Sequence, residues 1–175
     1  LAAKIPGGGK HRSLTLGAVI LVQKLLGQDI SKVLSLTADL IPSGRGNRIE
    51  TSQIKIIDES YNANPTSMIS ALETFQKDSL SGRRVLVLGE MLELGPAAKL
   101  EHRNIANTFE NFDKVFTIGE GFKNISDTDW RPEADEKFLE ELKRMLLPGD
   151  SVLVKGSNKV FWAKNFVGRL ISLLS

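Results

Sequence analysis

The feature that most constrains this chain is a series of short, almost uninterrupted apolar runs, each closing on a glycine or a polar residue. Residues 84–88 read Arg-Val-Leu-Val-Leu and end at Gly89, residues 114–118 end at Gly119, and residues 151–155 end at Gly156. A further run, 54–57, leads into Asp58. A strand that is apolar on successive residues buries both faces, as it does when helices cover a parallel sheet from both sides. Helical periodicity fills the gaps. Asn64-Pro65 offers an N-cap and a proline at the first helical position, and Met68, Leu72 and Phe75 follow at i, i+4, i+7. Further helices are expected over 97–109, over 134–146 with Phe138, Leu142 and Met145 inward, and over a last segment carrying Val160, Lys164, Val167, Ile171 and Leu174. The alternation predicts an α/β fold with a mainly parallel sheet covered on both faces.

The first part of the chain reads differently. Residues 11–26 align Leu14, Ala18, Leu21, Val22 and Leu25 on one face of a helix that Gly27 ends, the spacing of a buried stripe. A second helix is expected from Asp29 towards Leu40, before Pro42-Ser43-Gly44 breaks it, and the domain boundary is placed there. Two short helices cannot bury their own apolar faces. The start, Leu1-Ala2-Ala3-Lys4, has no Met and no signal pattern. The chain is therefore expected to be a piece of a longer protein.

Composition removes several functions. The net charge is +2 with scattered basic residues, so nothing demands a nucleic-acid or anionic-membrane partner. With no cysteine, disulfides, thiolate metal sites and cysteine nucleophiles are excluded. No apolar run approaches the ~18 residues of a membrane span. Gly7-Gly8-Gly9-Lys10 lacks the preceding strand, glycine spacing and following Ser or Thr of a phosphate loop. Gly119-Glu120-Gly121 is too short for a dinucleotide fingerprint, which disfavours a dehydrogenase. His11 and His102 lie far apart in sequence and give little support to a histidine metal or nucleophile site.

In open α/β sheets ligands bind beyond the carboxyl ends of the strands. Those ends read Asp58-Glu59-Ser60-Tyr61-Asn62, Gly89-Glu90-Met91, Gly119-Glu120-Gly121 and Lys155-Gly156-Ser157. Each alone is ordinary turn chemistry; together they make one polar edge.

The run Asp58 to Met68, Asp-Glu-Ser-Tyr-Asn-Ala-Asn-Pro-Thr-Ser-Met, resembles a signature of the Mur ligases. Ser43-Gly44-Arg45-Gly46 resembles that family's hinge motif. Val87 to Gly95, with His102 after it, is similar to its "LGDMLELG" segment, and Val154-Lys155-Gly156-Ser157 to its "VKGS" end. The Tyr-Asn-Ala-Asn-Pro form points to the member that joins D-alanyl-D-alanine to UDP-N-acetylmuramoyl-tripeptide. The Tyr-Ala-His-Thr-Pro-like and Lys-Gly-His-Glu runs of the sister that adds the third residue are absent.

The resemblance implies residues 1–44 as a helical remnant and hinge of a central ATP-binding domain, and 45–175 as a C-terminal Rossmann-like domain. It implies a cytoplasmic, monomeric ligase in peptidoglycan synthesis, with no nucleic acid and no membrane span. Its cofactors would be ATP and Mg2+, held mainly by the absent part of the central domain, and its route an acyl phosphate. The piece alone is expected to be inactive. Arg45 would be catalytic, approaching the ATP phosphates, with a solvated loop charge as the alternative. Asp58 would accept from ribose hydroxyls or simply cap a turn, and His11 would lie near the nucleotide. Asn62, Asn64, Lys155 and Ser157 would face substrate. Asn64 as an N-cap and Ser157 as a cap of the last helix remain open alternatives. No metal ligand is assigned. Some positions depart from the family pattern: Arg12 and Thr15 stand in place of asparagines, Glu59 of an aspartate and Asn158 of an arginine. A non-catalytic module derived from such a ligase, or another member of the family, is the competing reading.

Overall fold

In a computed structural model the described residues are 3, 10–36, 41–78, 81–125 and 128–175, with the side chains of Lys10 and His11 excepted. The chain divides into two compact units, Leu1–Pro42 and Ser43–Ser175.

The first unit holds α1 (Lys10–Leu25) and α2 (Ser31–Leu34). Gly27, at φ 66°, closes α1 in the left-handed region that glycine adopts without strain. The expected buried stripe is corrected: Leu14, Ala18, Leu21, Val22 and Leu25 are all exposed, and Leu16 is the buried apolar residue. Helix periodicity sets the face but supplies nothing to cover it. The second helix is also shorter than expected. The Asp29 carboxylate accepts from the Ser31 backbone N–H at 2.9 Å, so Asp29 precedes the helix and does not join it. The end of the expected segment, residues 37–40, lies outside the described residues.

The second unit is built on a six-stranded sheet in the order β1-β2-β6-β3-β4-β5. Its elements are β1 (Asn47–Glu50), β2 (Lys55–Glu59), α3 (Pro65–Lys77), β3 (Arg84–Gly89), α4 (Ala98–Ala106), β4 (Lys114–Ile118), β5 (Asp129–Arg131), α5 (Glu136–Met145), β6 (Ser151–Lys155) and α6 (Phe166–Leu174). β1 runs antiparallel to β2 and every other pairing is parallel. The period-2 geometry of a strand sends neighbouring side chains to opposite faces. Accordingly Val85 and Val87 enter one core with Phe138, Leu142, Phe166 and Leu170 of α5 and α6. Leu86 and Leu88 enter the other, with Met68, Leu72 and Phe75 of α3 and Ile105 of α4. Both faces of the central strands are buried, as their nearly continuous apolar runs require.

β1 and β5 were not expected. β1 carries a single apolar residue, Ile49, and β5 has only Asp-Trp-Arg; both are edge strands with no periodicity of their own. The last helix begins later than expected. Asn165 sits at φ 48°, left-handed, so Val160 lies in a turn, Lys164 in a 3-10 turn, and α6 starts at Phe166. Met145, the last residue of α5, is only partly buried.

Candidate active site

Parallel strands bring their carboxyl ends to one edge, and the adjacent ends of β2, β6, β3 and β4 place the polar segments side by side. Close approach of the chains explains two glycines. A Cβ on Gly156 would lie 2.7 Å from Gly89 Cα, so side chains at this seam would force β6 and β3 apart.

Backbone N–H groups are accepted across the seam by side chains from other elements. Ser157 Oγ accepts from Leu92 N at 2.8 Å, and Ser157 N donates to the Glu90 carbonyl at 3.1 Å. Glu90 Oε2 accepts from Gly121 N at 2.8 Å, so the loops after β3 and β4 are tied. His102, 1% exposed on α4, accepts from Met91 N through Nε2 at 2.9 Å. Because a backbone N–H can only donate, Nε2 is unprotonated, and Nδ1 carries the hydrogen towards the Ala98 carbonyl 2.7 Å away.

Lys155, 2% exposed, ends β6 with its charge buried. Its Nζ donates to the Asn62 carbonyl at 3.1 Å and lies 3.5 Å from Glu59 Oε2. Asn62 itself is exposed in the loop. Asn64 caps α3: its side chain accepts from Ser67 N at 2.8 Å while Ser67 Oγ accepts from Asn64 N at 3.1 Å. Ser157 does not cap the last helix, since α6 starts well beyond it; that alternative is corrected, and its hydroxyl oxygen anchors the loop after β3.

Asp58, next to last in β2, is 5% exposed, with Oδ1 accepting from Ser60 N at 3.0 Å in a local turn. A cavity of about 300 Å³ opens beside it, with Ser43, Ser60, Trp162 and Asn165 in its walls. Arg45 is exposed, and its guanidinium carbon stands 4.0 Å above the centre of the Tyr61 ring. Tyr61 meets Trp162 edge to face, with ring centres 5.3 Å apart and planes at 78°. The edge thus combines a cation, a buried carboxylate and a cavity within one unit. His11 belongs to the other unit, and its side chain lies outside the described residues. Trp162 was not singled out from the sequence, and Tyr61 only as part of the motif. A half-exposed tryptophan after the last strand carries no local signal of its partner.

One ionisable pair lies away from this edge. Burial alone would raise the Asp150 carboxyl. The Arg83 guanidinium, 3.0 and 2.7 Å from its oxygens, and the Leu147 N–H hold it below the usual carboxylate range. That pair brackets the opposite ends of β3 and β6 and is structural. Among the described residues no group of three or more His, Cys, Asp or Glu is arranged to hold a metal ion.

Residues 44–158 match the model of the Mur ligase, glutamate ligase domain. The chain is 31% identical over 173 residues to the UDP-N-acetylmuramoyl-tripeptide–D-alanyl-D-alanine ligase of Bacillus subtilis, covering 87% of this chain and 36% of that protein. The ligase of the same name from Buchnera aphidicola (subsp. Baizongia pistaciae) is 38% identical over 109 residues, covering 58% of this chain and 23% of that protein. Among solved structures, MurF ligase from Thermotoga maritima in complex with ADP superposes with a TM-score of 0.80 at 25% identity, covering 95% of this chain and 39% of that one. The chain therefore spans about a third of the length of the curated relatives it matches.

Proposed function

Given that this chain belongs to the Mur ligase family, we propose that it forms the C-terminal part of an ATP-dependent amide ligase that joins D-alanyl-D-alanine to UDP-N-acetylmuramoyl-tripeptide. The names of its relatives support the substrates, and the ADP held by the Thermotoga protein supports the nucleotide. A cytoplasmic role in peptidoglycan precursor synthesis follows from the same reading; no helix among the described residues is long and apolar enough to cross a membrane.

The observation that carries the proposal is the placement of the Arg45 segment beside Asp58 on one strand-end edge. The Gly46 N–H donates to the Asp58 carbonyl at 2.6 Å, so the arginine segment and the carboxylate-bearing strand end are joined through backbone. A carboxylate is a poor electrophile until one oxygen becomes a leaving group, and ATP supplies the phosphoryl group that makes it one. The tripeptide carboxylate oxygen would take the terminal phosphoryl group of ATP, releasing ADP; the dipeptide amine would then attack the acyl carbon, forming the amide and releasing inorganic phosphate and a proton. Arg45 would balance charge developing on the phosphoryl oxygens, which its planar fork of N–H donors suits. Asp58, beside the cavity, would accept from ribose hydroxyls. The exposed loop at Asn62, held by Lys155, would face the amine substrate together with the segment that Ser157 anchors. Asn64 contributes through its cap. No step is assigned to a metal through these residues.

The test is product analysis with a full-length ligase carrying this chain. It should consume ATP and form the amide from UDP-N-acetylmuramoyl-tripeptide only when D-alanyl-D-alanine is supplied. Equal or better use of a single amino acid with a shorter peptide acceptor would defeat the substrate assignment. The 175-residue chain by itself should show no turnover. Rapid ATP hydrolysis by it would contradict the division of labour proposed here.

A further inference from the structure

Resting on that reading of Arg45, we propose that Tyr61 and Trp162 are its positioning residues: the two rings hold the guanidinium in place before any nucleotide arrives. Arg45 lies between Gly44 and Gly46, a sequence context that by itself gives a side chain no fixed direction. The tertiary structure removes that freedom from several sides. Tyr61 N donates to the Gly44 carbonyl at 3.0 Å, and Gly46 N to the Asp58 carbonyl at 2.6 Å. Gly44 is at φ 75°, and a Cβ there would stand 2.8 Å from both Tyr61 N and Trp162 Cδ1. The segment is therefore pressed against both aromatic residues, and only glycine permits it.

On this seat the guanidinium carbon lies 4.0 Å above the Tyr61 ring, the distance of a cation over the electron-rich face. The edge-to-face contact with Trp162 sets the plane of the Tyr61 ring. Trp162 is itself set by the turn before α6. Ala163 N donates to the Asn158 carbonyl at 3.0 Å, and Asn165 N to the Trp162 carbonyl at 3.0 Å, with Asn165 left-handed. A helix running straight through this segment would turn the indole elsewhere.

An aromatic face orients a guanidinium without neutralising it, which suits a cation that must later meet phosphate. Electrostatic stabilisation is most effective when the donor needs no reorganisation at the moment of reaction. The stack thus acts on Arg45 and not on substrate, and its loss should lower kcat more than it raises the KM for ATP.

Two measurements test this. In the 175-residue chain, NMR should find the Arg45 side-chain Nε–H ordered and ring-shifted. Trp162→Ala, at a site 42% exposed and hence tolerant, and Tyr61→Leu should both lose that order and shift, while Tyr61→Phe keeps them. In the full-length ligase, Tyr61→Leu and Trp162→Ala should reduce kcat roughly tenfold or more, with the KM for ATP moving less than about threefold. Tyr61→Phe, which keeps the ring face, should recover most of the rate. Unchanged Arg45 order in both ring variants would overturn the proposal. So would wild-type turnover in both when Arg45→Ala is slow. Wild-type turnover from Arg45→Ala would instead defeat the catalytic reading of Arg45, and the NMR result would still decide whether the rings hold it.

Discussion

Lys155 Nζ donates to the backbone carbonyl of Asn62 at 3.1 Å, joining residues 93 apart in sequence. One is the buried end of β6 and the other the exposed loop that follows β2, so a fully desolvated cation fixes the shape of a solvent-facing segment. The cation also pairs with Glu59, whose side chain is 18% exposed. The lysine expected to face substrate does its work from beneath the loop.

Lys155→Met should therefore destabilise the fold. Removing one member of a buried ion pair costs on the order of 3 kcal/mol, because the remaining charge loses that attraction inside the protein. Partial exposure of Glu59 should bring the cost to the lower side of that figure, and Glu59→Gln should cost less than Lys155→Met. Urea unfolding of both variants gives the comparison; a loss under about 0.5 kcal/mol for Lys155→Met, the level of ordinary surface changes, would count against a structural pin.

Arg45 should behave as a positioned electrostatic donor. In the full-length ligase Arg45→Ala should lower kcat by on the order of 10²–10³, with a smaller rise in the KM for ATP. Arg45→Lys should not rescue, since a point charge reproduces neither the planar fork nor the stack on Tyr61. Asp58→Ala should move both kcat and KM. Steady-state kinetics with melting curves as a folding control decide the matter, and near-wild-type turnover from Arg45→Ala would make the glycine-flanked arginine purely structural.

The Arg83–Asp150 pair sets an acid limit. The folded carboxyl of Asp150 is held below its unfolded value of about 3.9. Its contribution is therefore fully present above that value and is lost as pH falls through the lower, folded one. The stability difference between wild type and Asp150→Asn should be constant above roughly pH 5 and shrink towards pH 2. Denaturant titrations across that range measure it. A difference that grows on acidification would have the wrong sign.

His102 should be the Nδ1–H tautomer, since Met91 N donates to Nε2 and the Ala98 carbonyl faces Nδ1. Imidazole nitrogen shifts read the tautomer directly. His102→Ala should leave a buried N–H without that acceptor, at about 1–3 kcal/mol, and speed hydrogen exchange at Met91. Observing the Nε2–H form would overturn the described geometry of the loop after β3.

How much of this was legible in advance depended on where the information resides. The runs 84–88, 114–118 and 151–155 showed in their own residues that they were strands buried on both faces, because two-sided burial leaves their central positions almost wholly apolar. α3 announced itself through Asn64 and Pro65: the asparagine side chain accepts from a first-turn backbone N–H, and the proline has no N–H there to satisfy. β1 and β5 were invisible, since an edge strand of a few mixed residues exists through hydrogen bonds to a neighbour. The start of α6 was misplaced because Asn165, by turning left-handed, ends a periodicity that Val160 and Val167 continue on paper.

Sequence by itself determined the fold class, the family and the residues of the polar edge, because apolar period and motif are properties of neighbouring positions. The tertiary structure decided what each of those residues does. Whether Ser157 holds a helix or the loop at Leu92, whether Lys155 faces solvent or the Asn62 carbonyl, and which ring carries Arg45 are settled by contacts between distant segments. Those contacts form only when parallel strands bring their ends together. A side chain's partner is then chosen by packing and by the need of each buried polar group for a hydrogen bond, neither of which is written at its own position.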